Sequence, residues 1–186
     1  MIIAISGPFG SGKTTLLGRL SARLGARVVT LPSPRVVPGL PPDAPARPCR
    51  DAAMSLGLVR GRLALLADCC AQVERDRAAG GTVLYSCCAL DTAAHQGEPE
   101  ATLRLCGDVR PDLVIWLDAE ADDLALRLLA RDGVVADVVA LRRLVYAYDR
   151  AARVARSLGW RAVDIGAGNT PDEVEAAALA AIGRAQ

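Results

Sequence analysis

Eight residues near the start of the chain, Gly7-Pro8-Phe9-Gly10-Ser11-Gly12-Lys13-Thr14, satisfy the spacing G-x-x-x-x-G-K-[ST]. Each residue type has a task in holding phosphate. Glycines let the backbone curl until successive N–H groups face one anion, and a helix opening near Gly12 adds the positive end of its dipole. An ammonium at Lys13 reaches the β- and γ-phosphates of a nucleoside triphosphate, and the Thr14 hydroxyl coordinates Mg²⁺. The expected triphosphate-binding residues are therefore Gly7, Gly10, Ser11, Gly12, Lys13, Thr14 and Thr15, with Thr14 the metal ligand. At this chain's residue frequencies the pattern arises by accident in roughly fewer than one chain in a thousand. That decides for phosphate over a merely structural glycine turn.

The basic residues sharpen the reading. Of 22 Lys and Arg residues, Lys13 is the only lysine. In an arginine-rich chain, a position that still holds lysine is one that needs a compact ammonium rather than a guanidinium fork. Twenty-one acidic residues leave a net charge of +1, which gives no general case for a nucleic-acid or anionic-membrane partner. The six cysteines (Cys49, Cys69, Cys70, Cys87, Cys88 and Cys106) lack zinc spacing, and the chain has one histidine. They read as buried thiols of a reducing compartment. No basic n-region precedes Gly7-Pro8, and no uncharged apolar run approaches a membrane span, so a cytoplasmic protein is expected.

The elements that must position these residues alternate. Short apolar runs at Ile2 to Ser6, Ala26 to Leu31, Thr82 to Ser86, Leu113 to Asp118 and Trp160 to Ile165 predict five buried strands. Helical spacing covers Lys13 to Leu24, Ala52 to Ala79, Glu98 to Gly107, Ala121 to Arg131, Val138 to Leu158 and Pro171 to Gly183. Continuous apolar strands between helices predict an α/β fold, a three-layer sandwich in which a five-stranded parallel sheet is covered on both faces. At 186 residues the chain reads as a single domain, 1–186. Seven prolines between Pro32 and Pro48 exclude helix and inner strand there, leaving a flexible insertion or a semi-rigid flap over a site.

Beyond the loop, the chain resembles the thymidylate kinase family of P-loop nucleoside monophosphate kinases, in order along nearly its whole length. Leu63 to Val73 is similar to the family's helix with an Ala-Asp-Arg signature, and Thr82 to Gly97 to its third strand and substrate helix. Pro111 to Asp118, followed by Ala125-Leu126-Arg127 and Arg131, is the closest match. Arg143 to Tyr148, Gly159-Trp160 and Thr170 to Val174 resemble its end. The resemblance implies transfer of the ATP γ-phosphoryl to a (deoxy)nucleoside monophosphate, dTMP by family default, with ATP and Mg²⁺, and a homodimer. It makes Lys13, Arg127 and Arg131 the catalytic cations, and Pro32, Leu65, Cys69, Cys87, Thr92, His95 and Tyr148 the substrate-binding residues.

Departures from the family fall at chemical positions. Phe9 stands where the family loop has a carboxylate, and Cys69 where an arginine follows the helix aspartate. Ser86 and Cys87 replace an Asp-Arg pair, Leu65 the aromatic that stacks on the base, and His95 a tyrosine. Asp91 or Asp118 is the expected substitute near Mg²⁺, and Arg35, Arg47, Arg50 or Arg62 near an acceptor phosphate. Two further readings stay open: a kinase of nucleosides or other small acceptors, and a nucleotide-binding partner protein with weakened catalysis.

Overall fold

The computed structural model describes residues 1–86, 89–133 and 135–185. Its five strands are β1 (Ile2–Ser6), β2 (Arg27–Val29), β3 (Val83–Tyr85), β4 (Leu113–Asp118) and β5 (Ala162–Gly166). All pair in parallel, in the order β2-β3-β1-β4-β5. β1 is buried at all five positions because it has a strand on either side and helices above and below. Successive residues serve opposite faces: Ile2 and Ala4 join one apolar cluster, Ile3 and Ile5 the other.

Eight helices cover the sheet among the described residues: α1 (Lys13–Leu24), α2 (Ala46–Ser55), α3 (Leu58–Ala79), α4 (Ala89–Gln96), α5 (Pro99–Arg104), α6 (Ala121–Asp132), α7 (Val138–Ser157) and α8 (Pro171–Gly183). Leu66 and Val73 of α3, Leu90 of α4, Leu103 of α5 and Ala151 of α7 pack on the Ile2 face. Leu16, Leu17 and Leu20 of α1, Leu124 of α6 and Ile182 of α8 pack on the Ile3 face. The expected five-stranded parallel sandwich is therefore the fold observed. None of the described helices is long and apolar enough to cross a membrane.

Four expectations need correction. Of the five strands expected to be buried, the two edge strands are not: Arg27 and Val28 of β2 and Asp164 of β5 are exposed, since an edge strand has a neighbour on one side only. The single helix expected from Ala52 to Ala79 is two helices, broken at Gly57, whose φ of 93° no helical residue adopts. α3 then crosses α2 so closely that a Cβ on Gly61 would lie 2.4 Å from the Ala53 carbonyl oxygen. Helical spacing also passed over α4. Lastly, the proline-rich segment is neither fully irregular nor detached. It forms a 3₁₀ turn at Pro34–Val36 and enters α2 with Pro48 in the first turn, where no backbone N–H is needed. Val36 packs with Cys49 and Ala53 in a small third cluster.

A buried polar network joins the sheet to α3. Tyr85 Oη donates to Asp76 Oδ2 at 2.7 Å and Gln72 Nε2 donates to the same oxygen at 3.0 Å, while Arg27 pairs with Asp76 Oδ1. Burial pushes the Asp76 carboxyl upward, but these three donors outweigh it and hold the group below its ordinary value. A depressed value means the contribution is complete above the unfolded value near 4 and is lost as pH falls through the folded one. Asp76→Asn is expected to destabilise the fold by about 1–3 kcal/mol at pH 7. Denaturant titrations at pH 7 and pH 3 check this: the gap between variant and parent should narrow at pH 3, and an equal gap at both would remove Asp76 from the acid limb.

Candidate active site

The chain leaves β1 at Gly7, in the middle of the carboxyl edge of the sheet, and re-enters regular structure as α1. Gly12, at the N-cap, has no side-chain cap, so the first-turn N–H groups of α1 are open to an external acceptor. Lys13 Nζ donates to the Gly7 and Pro8 carbonyl oxygens at 2.6 and 2.8 Å and sits 5.8 Å over the centroid of the Phe9 ring. The hydroxyls of Ser6 and Ser11 are buried beneath the loop with no partner among the described residues.

A groove of about 880 Å³ runs along this loop. Four cations line it, Lys13, Arg50, Arg127 and Arg131, and no carboxylate does among the described residues. In a chain with a net charge of only +1, that is a local concentration of positive charge suited to a polyanion. Arg127 donates to the Ala167 carbonyl and, at 3.5 Å, to that of Gly10, so it bridges the loop to the β5–α8 turn. Arg131 is exposed and pairs with its neighbour Asp132 at 2.6 Å. Thr14 and Thr15 line the groove, as does Ser86 at the end of β3. Beyond Arg127, a hollow of about 260 Å³ includes Ser11, Thr15, Ala167 and Asn169. Sequence reasoning missed this hollow. The signal for it was Gly166-Ala167-Gly168-Asn169, a glycine-rich turn just ahead of the capped α8.

The groove opens sideways into a cleft of about 340 Å³. Pro32, Leu65, Cys69, Thr92, His95 and Tyr148 all line it, while Cys87 lies outside the described residues. Cys69 belongs to the core as well as the cleft, and burial holds its thiol neutral by pushing its titration upward. Of the four candidate arginines, Arg50 and Arg62 line the cleft. Arg35 instead turns to Gln72, 3.5 Å away, and Arg47 lines neither cavity. Asp91 is buried in the cleft floor and accepts from Tyr148 Oη at 3.1 Å. It does not line the groove, and neither does Asp118.

Asp68 shapes the entrance. Its carboxylate accepts from Ser33 N at 2.7 Å and from Ser33 Oγ at 2.5 Å, pinning the chain just after Pro32. Ser86 Oγ accepts from Leu31 N at 3.4 Å on the other side. The proline-rich segment thus enters the site as a fixed wall.

No family model matches the chain, and no curated protein matches it in sequence. Solved structures match it closely in fold. Deoxyadenosine kinase from M. mycoides with bound dATP superposes with a TM-score of 0.69 at 14% identity, covering 98% of this chain and 100% of that one. The same enzyme with dCTP gives 0.67, again at 14% identity, covering 99% and 100%. The YorR protein of Bacillus subtilis, in complex with phosphorylated GDP, gives 0.67 at 14% identity, covering 98% and 96%. The chain therefore shares the fold of these proteins.

His95 reports on the charge of the cleft. Its ring centroid lies 6.2 Å from that of Phe9 and 5.5 Å from that of Tyr148, the latter edge-on. Loss of water lowers its titration, Asp91 opposes that, and Arg50, Arg62 and Lys13 add to it. As the chain's only histidine, it gives a single imidazole signal in proton NMR. That signal should titrate with a midpoint below the ordinary 6.5, and an added nucleoside monophosphate, by neutralising the arginines, should raise the midpoint. A midpoint at or above 6.5 in the free protein would mean that burial and the three cations together do not outweigh Asp91 at the ring.

Proposed function

We propose that the chain is an ATP-dependent phosphotransferase whose acceptor is a (deoxy)nucleoside monophosphate, with dTMP the acceptor that the family resemblance implies. The observation that carries this is the groove with four cations and, among the described residues, no acid, joined to a largely apolar cleft that shares Lys13 and Arg50 with it and adds Arg62. A triphosphate in the groove would lie against the open N-terminus of α1 and the Lys13 ammonium, with Arg127 and Arg131 along its flank. The uncapped helix end fits such an anion. Lys13 and Arg50 line both cavities, so they stand where a phosphoryl group passes from one to the other. Catalysis of this transfer is positioning and charge neutralisation, which needs no covalent group from the protein.

Mg²⁺, when bound, neutralises and orients the β- and γ-oxygens. Thr14, which the loop spacing assigns to the metal, lines the groove with Thr15 and Ser86, so hydroxyls and the nucleotide itself would hold it. That no carboxylate lines the groove among the described residues supports slower turnover than a site with one.

A second reading, a kinase of free nucleosides, is favoured by the likeness to deoxyadenosine kinase. The two differ in the task of Arg50 and Arg62. An acceptor that carries a phosphate needs cations at its near end, and a hydroxyl acceptor does not.

Two measurements test the proposal. ATP·Mg²⁺ at about a hundred times its Kd is expected to stabilise the protein by about 2.7 kcal/mol, roughly 5–10 °C in Tm, and Lys13→Ala to remove most of that shift while its unliganded Tm stays within about 2 °C. ADP release is then measured against matched nucleosides and monophosphates. The paired change Arg50→Ala with Arg62→Ala should raise KM for a monophosphate by about 10–100-fold. If only nucleosides are consumed, and KM for them is unmoved, the second reading stands. If nucleotide binds and nothing is consumed, the chain is a binding protein.

A further inference from the structure

The thiols of the chain are not alike. Cys49, Cys69, Cys70 and Cys106 are free among the described residues; three of them are buried, and Cys70 is half-buried. Cys70 lies on α3, and Cys106 follows α5. The fold brings both to one apolar cluster, with Cys106 inside it and Cys70 packed against it. There the Cys106 thiol hydrogen-bonds both the Thr102 carbonyl oxygen, at 3.9 Å, and the sulfur of Cys70. Two sulfurs from distant parts of the chain thus meet, one with access to solvent and one without.

Their surroundings give them different tasks. The hydrogen bond from Cys106 lowers the titration of Cys70, while burial and the Glu74 carboxylate oppose it. Burial instead raises the titration of Cys49 and of Cys69. Thiolate is the nucleophilic form of cysteine, so Cys70 is the described thiol best placed to attack an electrophile that arrives from solvent. Cys106 is placed to attack what then forms on Cys70.

We propose that Cys70 and Cys106 are a peroxide-oxidised thiol pair, in which Cys70 is the reacting sulfur and Cys106 the resolving one. The Cys70 thiolate attacks one oxygen of hydrogen peroxide; an S–O bond forms, the O–O bond breaks, and hydroxide leaves and takes up the proton that Cys70 had released. Cys70 is then a sulfenic acid. The Cys106 sulfur attacks the Cys70 sulfur, an S–S bond forms, the S–O bond breaks, and the departing hydroxide leaves with the Cys106 proton as water. Two electrons pass from the thiols to the peroxide, both of whose oxygens end as water. A dithiol reductant returns them. Contact between the two sulfurs makes the second step intramolecular, which favours Cys106 over a thiol in solution. The loop that the bond closes contains β3, Ser86 and α4, so oxidation ties down the cleft wall that carries Asp91, Thr92 and His95. Neither step involves a nucleotide, so the pair stands or falls apart from the kinase reading.

The experiment treats the reduced, folded chain with a small excess of hydrogen peroxide at neutral pH, then counts thiols after denaturation. The count is expected to fall by two from the six of the reduced chain and to recover fully with dithiothreitol. Peptide mapping of the oxidised wild type should join residues 63–75, which carry Cys69 and Cys70, to the peptide with Cys106, and fragmentation should place the bond at Cys70. This map identifies the pair without any variant. Cys70→Ser should slow the loss of thiols by about tenfold or more, because the thiolate fraction governs the rate. Cys106→Ala removes the resolving sulfur, so no cross-link should form and dimedone should trap a sulfenic acid at Cys70. It should do so more slowly than in wild type, since the donor that favours the thiolate is gone as well. A bond from Cys106 to Cys69, Cys87 or Cys88, or a bond between two copies of the chain, would overturn the pairing. Loss of thiols at the wild-type rate in Cys70→Ser, or in the folded chain only at peroxide levels that oxidise the denatured chain equally fast, would overturn the role of Cys70.

Discussion

Five consecutive buried residues, Ile2 to Ser6, with a parallel neighbour on each side, constrain everything that follows them. A strand so enclosed has no freedom to shift register, because a slip of one residue would exchange Ile3 and Ile5 with Ile2 and Ala4 between two differently shaped faces. Its end is thereby fixed at the centre of the carboxyl edge. Ser6 stands opposite Trp116 of β4, while Ala4 stands opposite Tyr85 of β3. The loop that starts at Gly7 therefore opens between Ser86 on one side and the β4 end on the other, and ligands of open parallel sheets collect at such a crevice.

Charge is distributed to match. Twenty-two basic and twenty-one acidic residues nearly cancel over the whole molecule, and most of the described ion pairs lie on the outer surface, as in Arg19 with Asp172 and Arg104 with Glu100. In the groove the cancellation is incomplete: four cations line it with no acid among the described residues, and of these Arg131 alone is ion-paired, with Asp132 beside it. Unbalanced cations at close quarters repel, and the arrangement is tolerable because water screens them until an anion replaces that water. Arg127 illustrates how the cost is limited, since its guanidinium is held by the Ala167 and Gly10 carbonyls rather than by a carboxylate. It keeps its positive charge available while its geometry is fixed.

The fold was legible because its signals are local and redundant. Each strand is an apolar run, α8 carries a full capping box at Thr170 and Glu173, and the loop has a spacing that chance rarely supplies. The cleft was legible in a different way. Pro32, Leu65, Cys69, Thr92, His95 and Tyr148 share no spacing, and only ordered resemblance put them together before the structure placed them in one cavity. What the sequence hid was relational. Periodicity continued through Gly57, so a helix break that turns Arg50 and Arg62 toward one cleft read as a single helix. Proline density marked the 32–48 segment as irregular, yet said nothing of the Asp68 carboxylate that fixes it from thirty-five residues away. Nor could four dispersed arginines be sorted, since whether a guanidinium faces a cavity or Gln72 depends on packing rather than on neighbours in the chain.

Asp68 and Cys69 show why framework and chemistry can separate in adjacent residues. Successive positions on a helix point about 100° apart, so neighbours answer to different surroundings. Asp68 bonds both the amide and the hydroxyl of Ser33, and those bonds hold the loop whatever molecule the cleft receives. Replacing it would leave two buried donors without a partner. Cys69 faces the core and the cleft together, and its size and neutrality suit the first. A guanidinium there would be a buried unpaired charge whenever the cleft was empty. Arg50 and Arg62 hold their charge at the rim, where water attends to it between ligands. Cations at half-buried positions of the cleft lining thus leave the core free of an unpaired charge.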